Sequence, residues 1–164
     1  LLEACEQLWA AGEKFELRIV GSVQRQTGRA ALEKLRALQA AGRPLRYDGP
    51  LPEAAVDAAY ADCAFTVYPS IAEGFGLPVI ESLARGRPCI CSAHGALGEL
   101  SRAGGCVPLA SVDSASLAAA IARLLASPDE LAALASAARA RTHRTWHAYA
   151  AELSAWMREL PRRG

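Results

Sequence analysis

Two glutamates, Glu73 and Glu81, bracket a glycine-rich segment and are the residues of this chain best suited to chemistry. The segment between them reads G-F-G-L-P-V-I. Carboxylates accept hydrogen bonds from paired hydroxyl groups, which suits the binding of a sugar or a ribose. Gly74 and Gly76 let the backbone approach an anion closely, and a helix that begins near Leu77 offers bare N–H groups that attract phosphate. The pattern therefore suits a ligand that carries both hydroxyl groups and phosphate.

A strand and a helix must position these two carboxylates. The apolar run A-F-T-V-Y-P predicts a buried strand that ends at Tyr68-Pro69. Pro78 fits the first turn of the helix that follows, because its missing N–H costs little there. Ligands of open α/β sheets bind at the carboxyl ends of the strands. We therefore expect both glutamates to point toward one crevice at this strand end.

The two glutamates also have an ordinary structural interpretation. An E-G-x-G sequence is common in turns, and a glutamate near the start of a helix can simply complement the helix dipole. Short motifs carry a real risk of false positives. Glu73 and Glu81 taken alone therefore leave both interpretations open, and the rest of the chain must decide.

Short apolar runs alternate with longer runs rich in Ala and Leu. The predicted strands are Phe15–Gly21, Pro44–Asp48, Ala64–Pro69, Pro88–Ser92 and Cys106–Leu109. The predicted helices are Leu1–Ala11, Gly28–Ala41, Glu53–Ala61, Leu77–Arg85, Ser114–Ala126, Pro128–Arg141 and Trp146–Leu160. Strands that alternate with helices indicate parallel βαβ units. We predict an α/β fold with a Rossmann-like, doubly wound parallel sheet and an all-helical C-terminal extension.

The bulk properties exclude several classes of protein. A length of 164 residues suits one domain, and a net charge of +1 gives no electrostatic case for nucleic-acid binding. The apolar stretches are far shorter than a membrane span, and the first residues are not the basic start of a signal peptide. We therefore expect a cytoplasmic protein, either free or peripheral at the inner face of the membrane. The chain does not begin with Met, which indicates a piece of a longer protein.

The five cysteines predict buried, reduced thiols. No C-x-x-C spacing occurs, and a zinc site usually needs two such pairs with a longer gap between them. We therefore expect no metal site. The cysteines are Cys5, Cys63, Cys89, Cys91 and Cys106.

The last helix carries an apolar stripe. Trp146, Tyr149, Leu153 and Trp156 recur at spacings of three to four residues, which places them on one face of a helix. We expect this face to pack the last helix against the core, with part of it bare.

The segment E-G-F-G-L-P-V-I-E resembles the E-x7-E motif of retaining GT-B glycosyltransferases of group 1, the large family that includes bacterial mannosyltransferases and sucrose-phosphate synthase. The resemblance extends upstream to L-R-I-V-G-S and to the run from Pro44 to Ser70. It extends downstream to E-S-L-A-R-G-R-P-C-I-C-S and the loop at residues 95–99. It implies that residues 1–164 form one domain, the C-terminal, donor-binding half of a GT-B fold.

The resemblance also implies a role for each residue of the site. Glu73 contacts the hydroxyl groups of the donor sugar and is the catalytic residue, while Glu81 holds the ribose hydroxyls. The other donor-binding positions are backbone amides near the sugar and the diphosphate, a turn that lines the base, and a loop at the end of the next strand. The backbone amides are those of Gly74, Phe75, Gly76 and Leu77, the turn contains Gly49 and Leu51, and the loop contains His94 and Gly95.

The function implied by the resemblance is transfer of a hexosyl group from a GDP- or UDP-linked sugar, with retention at the anomeric carbon, in polysaccharide or glycoconjugate biosynthesis. Mannose is a mild preference, and no metal or other cofactor is required. Relatives bind a saccharide or lipid-linked acceptor, and make any membrane contact, through an N-terminal domain that this sequence lacks. They also carry a central first strand and an Arg/Lys pair for the diphosphate. The fragment alone is therefore expected to be inactive.

Two alternatives remain open at this stage. One is a degenerate nucleotide-binding or interaction module without transferase activity, although an intact Glu73 and Glu81 pair argues against such decay. The other is a sugar-nucleotide epimerase of similar two-domain shape, although the E-x7-E spacing favours transfer. Arg25 and Arg29 follow another strand end and could approach phosphate, but exposed arginines at such positions are usually only solvated.

Overall fold

A computed structural model describes residues 1–24, 28–142 and 145–160 of the chain. The strands are β1 (Leu17–Val20), β2 (Leu45–Gly49), β3 (Thr66–Tyr68), β4 (Cys89–Ser92) and β5 (Cys106–Leu109). The helices are α1 (Leu2–Ala10), α2 (Arg29–Ala40), α3 (Glu53–Asp62), α4 (Leu77–Ala84), α5 (Gly95–Ser101), α6 (Ser114–Ala126), α7 (Pro128–Arg139) and α8 (Trp146–Glu159). Every predicted strand and helix is present, with only its ends shifted. Helix α5 is additional, because the sequence analysis treated its residues as a loop.

All of the strand pairs are parallel, as predicted. β1 pairs with β2, while β3, β4 and β5 form a second sheet with β4 in the centre. Within the described residues no strand pairing joins the two sheets, so β1 and β3 each keep an unpaired edge. The single sheet expected from the sequence is therefore present as two parts.

Helices cover both faces of the β3–β4–β5 sheet, as a doubly wound arrangement requires. Side chains of β4 alternate between two cores: Ile90 enters one, and Cys89 and Cys91 enter the other. The first core is closed by α1, α2 and α6, and the second by α4, α5 and the end of α7. Because β4 is buried on both faces, its sequence is a continuous run of small and apolar residues.

The cysteines behave as small apolar residues, as expected. All five are free thiols, four of them are buried and Cys63 is half-buried. Burial raises the pKa of the Cys5 thiol to about 11, so this sulfur stays protonated near neutral pH.

A side-chain cap fixes the start of the helical extension, and one arginine ties the end of α7 to the rest of the fold. Asp113 caps α6 by accepting a hydrogen bond from the Ser116 amide at 2.8 Å. Arg141, just beyond α7, donates from Nη1 to the carbonyls of Leu100 at 2.7 Å and Gly104 at 3.0 Å. These bonds fix the end of α7 against the turn that follows α5.

Helix α8 does not pack as predicted. Trp146 is 86% exposed and Trp156 is 57% exposed, and Tyr149 and Leu153 are exposed as well, so the expected contact of this face with the core is wrong. The helix is held locally, because Thr145 caps it by accepting from the Ala148 amide at 3.1 Å. The apolar spacing correctly indicated an amphipathic helix, but it carried no information about which surface covers the stripe. None of the described helices, α8 included, has the length and apolar character needed to span a membrane.

Two leucines provide a matched test of this packing. Leu83→Ala on α4 should lower the free energy of unfolding by about 2–5 kcal/mol, because Leu83 is fully buried and its removal leaves a cavity. Leu153→Ala on α8 should cost less than about 1 kcal/mol, because this side chain is 38% exposed and packs against no core. Urea unfolding of both variants measures the difference. Equal losses would mean that α8 is covered in the folded protein.

Candidate functional site

The site is built where β3 ends and α4 begins, with Gly76 as the N-cap of the helix. Gly76 is buried and has a left-handed backbone with φ +82°. A Cβ atom at this position would lie 2.4 Å from Cδ2 of Leu97 on α5. The positive φ favours glycine, and any larger side chain would also force the end of Leu97 to move. This glycine fixes the direction in which the loop at residues 69–76 enters the helix.

The start of α4 presents backbone amides to solvent. The first bonds within the helix run from the amides of Val79 and Ile80 to the Gly76 carbonyl, at 3.0 and 3.3 Å. Pro78 has no N–H, and the Leu77 amide, at the positive end of the helix dipole, has no partner within the helix. Phe75 is 63% exposed and Leu77 is 56% exposed, so apolar side chains border these amides.

Glu73 is exposed and hydrogen-bonded on one side. The Tyr68 hydroxyl donates to its Oε1 at 2.5 Å, and the Ser70 hydroxyl donates to the same oxygen at 2.9 Å. The bond from Tyr68, followed by that from Ser70, holds the pKa of the Glu73 carboxyl below its usual value. Both hydroxyls reach Oε1, and among the described residues no hydrogen bond is made to Oε2.

Glu81 is exposed on α4 and turned toward α3. The Tyr60 hydroxyl donates to its Oε2 at 3.3 Å. Burial, followed by the charge of the carboxylate, raises the pKa of Tyr60 to about 12. The Arg85 guanidinium lies 4.7 Å above the Tyr60 ring and is paired with Asp57. Tyr60 therefore has contacts on two sides that keep it beside Glu81.

His94 and Gly95 follow β4, which neighbours β3 in the sheet. They therefore lie at the same sheet edge as the end of β3 that leads into the Glu73 loop. They do not form the predicted loop, because His94 is the N-cap of α5 and Gly95 begins that helix. A ring nitrogen of His94, Nε2, lies 2.8 Å from the Ala110 carbonyl, and the His94 amide donates to Ser92.

Gly49 and Leu51 lie at the end of β2, in the other sheet. Gly49 has φ +67°, and its carbonyl accepts a hydrogen bond from the Gly21 amide at 2.8 Å. No hydrogen bond or ion pair of the described residues connects this turn to the Glu73 loop. The predicted site residues thus fall into two groups, one on each sheet.

A separate cleft of about 710 Å³ lies between the end of β1 and the starts of α1 and α2. Its lining includes Leu1, Ile19, Gly21 and Gly28, and neither Glu73 nor Glu81 belongs to it. Of the two arginines considered for phosphate, Arg25 lies outside the described residues. Arg29 is exposed and forms an ion pair with Glu33 at 3.0 Å.

Three residues of the site were missed in the sequence: Tyr60, Tyr68 and Ser70. Ser70 and Tyr68 lie three and five residues before Glu73, so proximity along the chain was a usable signal for both. Tyr60 is on α3, 21 residues from Glu81, and only the packing of α3 beside α4 brings them together. Among the described residues, no group of three or more His, Cys, Asp or Glu side chains is placed to hold a metal ion.

The chain is similar to several known proteins. It is 40% identical over 88 residues to the MMP alpha-(1->4)-mannosyltransferase of Mycolicibacterium hassiacum, covering 51% of this chain and 21% of that protein. It is 44% identical over 48 residues to O-antigen chain mannosyltransferase B of Escherichia coli, covering 29% of this chain and 13% of that protein. Sucrose-phosphate synthase from Thermosynechococcus elongatus superposes with a TM-score of 0.78 at 26% identity, over 96% of this chain and 41% of that one.

These relatives are much longer than this chain, which corresponds to less than half of each. The synthase likeness shows that the two parallel sheets and their helices form a fold of the GT-B glycosyltransferase class. The family described as glycosyl transferases group 1 matches residues 1–141. The match includes both glutamates, the loop between them and all five strands, and the chain therefore belongs to the glycosyl transferases group 1 family.

Proposed function

We propose that this domain binds a nucleotide-diphospho-sugar, GDP- or UDP-linked, and that the polypeptide containing it transfers the glycosyl group to a saccharide or lipid-linked acceptor with retention of configuration. The observation that carries the proposal is the position of Glu73. Its carboxylate is exposed, is hydrogen-bonded at Oε1 by two hydroxyls, and lies four residues before the start of α4. Membership of the glycosyl transferase family supplies the reaction class.

Each part of this site suits one part of such a donor. The free Oε2 of Glu73 can accept hydrogen bonds from sugar hydroxyls and can stabilise positive charge that develops on the ring. The amide of Leu77 and the dipole of α4 can stabilise the negative charge that develops on the leaving diphosphate. Glu81, in the second turn of the same helix, can accept hydrogen bonds from the ribose hydroxyls. Electrostatic stabilisation by fixed groups is thus the main catalytic contribution of this half.

A further strand would complete this arrangement. α1 and α2 lie on the same face and are joined by an ion pair between Glu6 and Lys34 at 2.8 Å. The connection from β1 through α2 to β2 is one crossover. Successive crossovers of the same hand, with their helices on the same face, place each new strand further along the sheet in the same direction. A strand that leads into α1 would therefore lie at the unpaired edge of β1, away from β2. The unpaired edge of β3 supports a place for it between the two sheets.

Residues that lead into α1 would then also reach the cleft at the end of β1. We place there the cations that neutralise the diphosphate, because Arg29 is already paired with Glu33. Acceptor binding belongs to a further domain, since the relatives are more than twice as long as this chain. The two mannosyltransferase relatives favour mannose as the sugar. Polysaccharide or glycoconjugate synthesis in the cytoplasm, or at the inner face of the membrane, fits such a donor.

Initial-rate transfer by the longer polypeptide, with a panel of UDP-, GDP- and ADP-sugars, tests the function directly. We expect turnover with one donor and a product whose anomeric configuration, read by NMR, is that of the donor. No transfer or donor hydrolysis with any of these sugars would favour a binding module without transferase activity. A product with inverted anomeric configuration would refute the retention of configuration but not the transfer reaction.

Glu81→Ala in this polypeptide should weaken binding of the free nucleoside diphosphate about ten-fold to a hundred-fold, because the ribose hydroxyls lose a charged acceptor. Calorimetry with the diphosphate measures the loss. Glu13→Ala is the control, since Glu13 is exposed in the loop between α1 and β1. Equal affinity in the Glu81 variant and the control would refute the ribose role.

Glu73→Gln should lower turnover on the order of 10²-fold, while the affinity for the nucleoside diphosphate changes little. The substitution keeps the shape and one acceptor but removes the charge. Its effect grows toward the transition state, and therefore falls on turnover rather than on ground-state binding. Rates with varied donor, beside calorimetry with the diphosphate alone, separate the two. Weaker diphosphate binding at unchanged turnover would mean that each glutamate has been assigned to the wrong end of the donor.

A further inference from the structure

The carboxylate of Glu73 is exposed, so its direction depends on the groups that bind Oε1. An exposed glutamate has several freely rotating bonds, and fixing them costs entropy. Two hydroxyls, those of Tyr68 and Ser70, supply the restraint. The two donors are not equivalent, because they differ in how firmly they are held and in how many acceptors they serve.

Tyr68 is anchored by the core. Its backbone is the last residue of β3 and is in register with Cys91 of the buried strand β4. Its ring packs, together with Leu100, against the core that contains Val79 and Leu83. The position of the Tyr68 hydroxyl is therefore set by the sheet and by α4, not by the loop that carries Glu73.

Ser70 is a weaker restraint. It lies within the loop, and its hydroxyl is 2.9 Å from Oε1 of Glu73 and 3.2 Å from the Ala72 carbonyl. A hydroxyl has one hydrogen, so these two acceptors share it. Tyr68, at 2.5 Å, is thus the undivided donor to the carboxylate.

We propose that the Tyr68 hydroxyl is a positioning group which holds Oε1 of Glu73 and thereby directs Oε2 toward the donor sugar. This inference rests on the proposed function and names a residue through which Glu73 acts. Charge-assisted O–H···O⁻ bonds are short and stronger than neutral ones, and the 2.5 Å distance falls in their range. Burial, followed by the bond to Glu73, raises the pKa of Tyr68 to about 12, so the hydroxyl keeps its proton at neutral pH.

The contact to the second glutamate differs in strength. The Tyr60 hydroxyl lies 3.3 Å from Oε2 of Glu81, near the limit of a hydrogen bond. The two tyrosine–glutamate contacts therefore predict effects of different size. Loss of the Tyr68 hydroxyl should affect its glutamate strongly, and loss of the Tyr60 hydroxyl should affect Glu81 much less.

Tyr68→Phe tests the proposal, since it keeps the packed ring and removes only the hydroxyl. The hydrogen bond lowers the pKa of Glu73, so its loss should raise that pKa in the 164-residue chain, measured by ¹³C NMR titration of the carboxyl carbon. In the longer enzyme, turnover should fall about ten-fold with the diphosphate affinity kept, and the acid limb of the pH–rate profile should move to higher pH. A merely structural tyrosine would move neither the titration nor the limb.

Tyr149→Phe on α8 is the matched control, and it should change neither the Glu73 titration nor turnover. Ser70→Ala should shift the Glu73 pKa in the same direction as Tyr68→Phe but by less. An unchanged Glu73 pKa in Tyr68→Phe would overturn the proposal, as would a raised pKa with unchanged turnover and pH profile. If Glu73→Gln also left turnover unchanged, the error would lie in the proposed function, because the titration reports the Tyr68 contact independently of activity.

Discussion

The two-sided burial of β4 is the constraint on which the rest of the structure depends. Its four residues are buried, and alternate side chains enter the two cores on opposite faces of the sheet. β3 lies beside it, and α4 is joined to β3 by a 2.7 Å hydrogen bond between Ser82 and Thr66. Ser82 also donates to the Arg87 carbonyl at 3.0 Å, so this buried hydroxyl is fully used. The loop with Glu73 is therefore held at both of its ends by one packed unit.

The two glutamates of this unit experience different environments. Glu73 belongs to a loop, yet a core-anchored tyrosine at 2.5 Å fixes it. Glu81 belongs to a helix, yet its carboxylate has only a 3.3 Å contact with a neighbouring helix. Such a division suits a donor whose reactive end must be placed accurately, while its nucleoside end tolerates some adjustment. For these two glutamates, the contacts of the side chain therefore determine how firmly it is held, more than the helix or loop that carries it.

Most strands and helices could be predicted from the local sequence, because the spacing of apolar residues differs between them and glycine or proline marks their junctions. Helix α5 was missed because seven residues with Gly95 and Gly98 are too short for a helical period to be visible. The residues of the five strands did not indicate the division of the sheet, since the hydrogen-bond partners of a strand edge are not encoded in that strand. The only indication was the central first strand that the resemblance implies. The apolar stripe of α8 was recognised, but its exposure depends on what surrounds it. Residue types and spacing indicated the two glutamates, the resemblance implied their roles, and only tertiary packing revealed Tyr60.

The contact between Gly76 and Leu97 has a consequence for the redesign of this domain. The nearest atom to a side chain built at residue 76 is the end of Leu97, at 2.4 Å, followed by Leu100 at 3.2 Å. The glycine loop and α5 are therefore one steric unit, although 20 residues separate the contact points. Libraries that vary only residues 74–77 to change donor preference would sample few folded members. Productive libraries should therefore keep glycine at position 76, because of its backbone angle and its contact with Leu97, and vary the other loop positions.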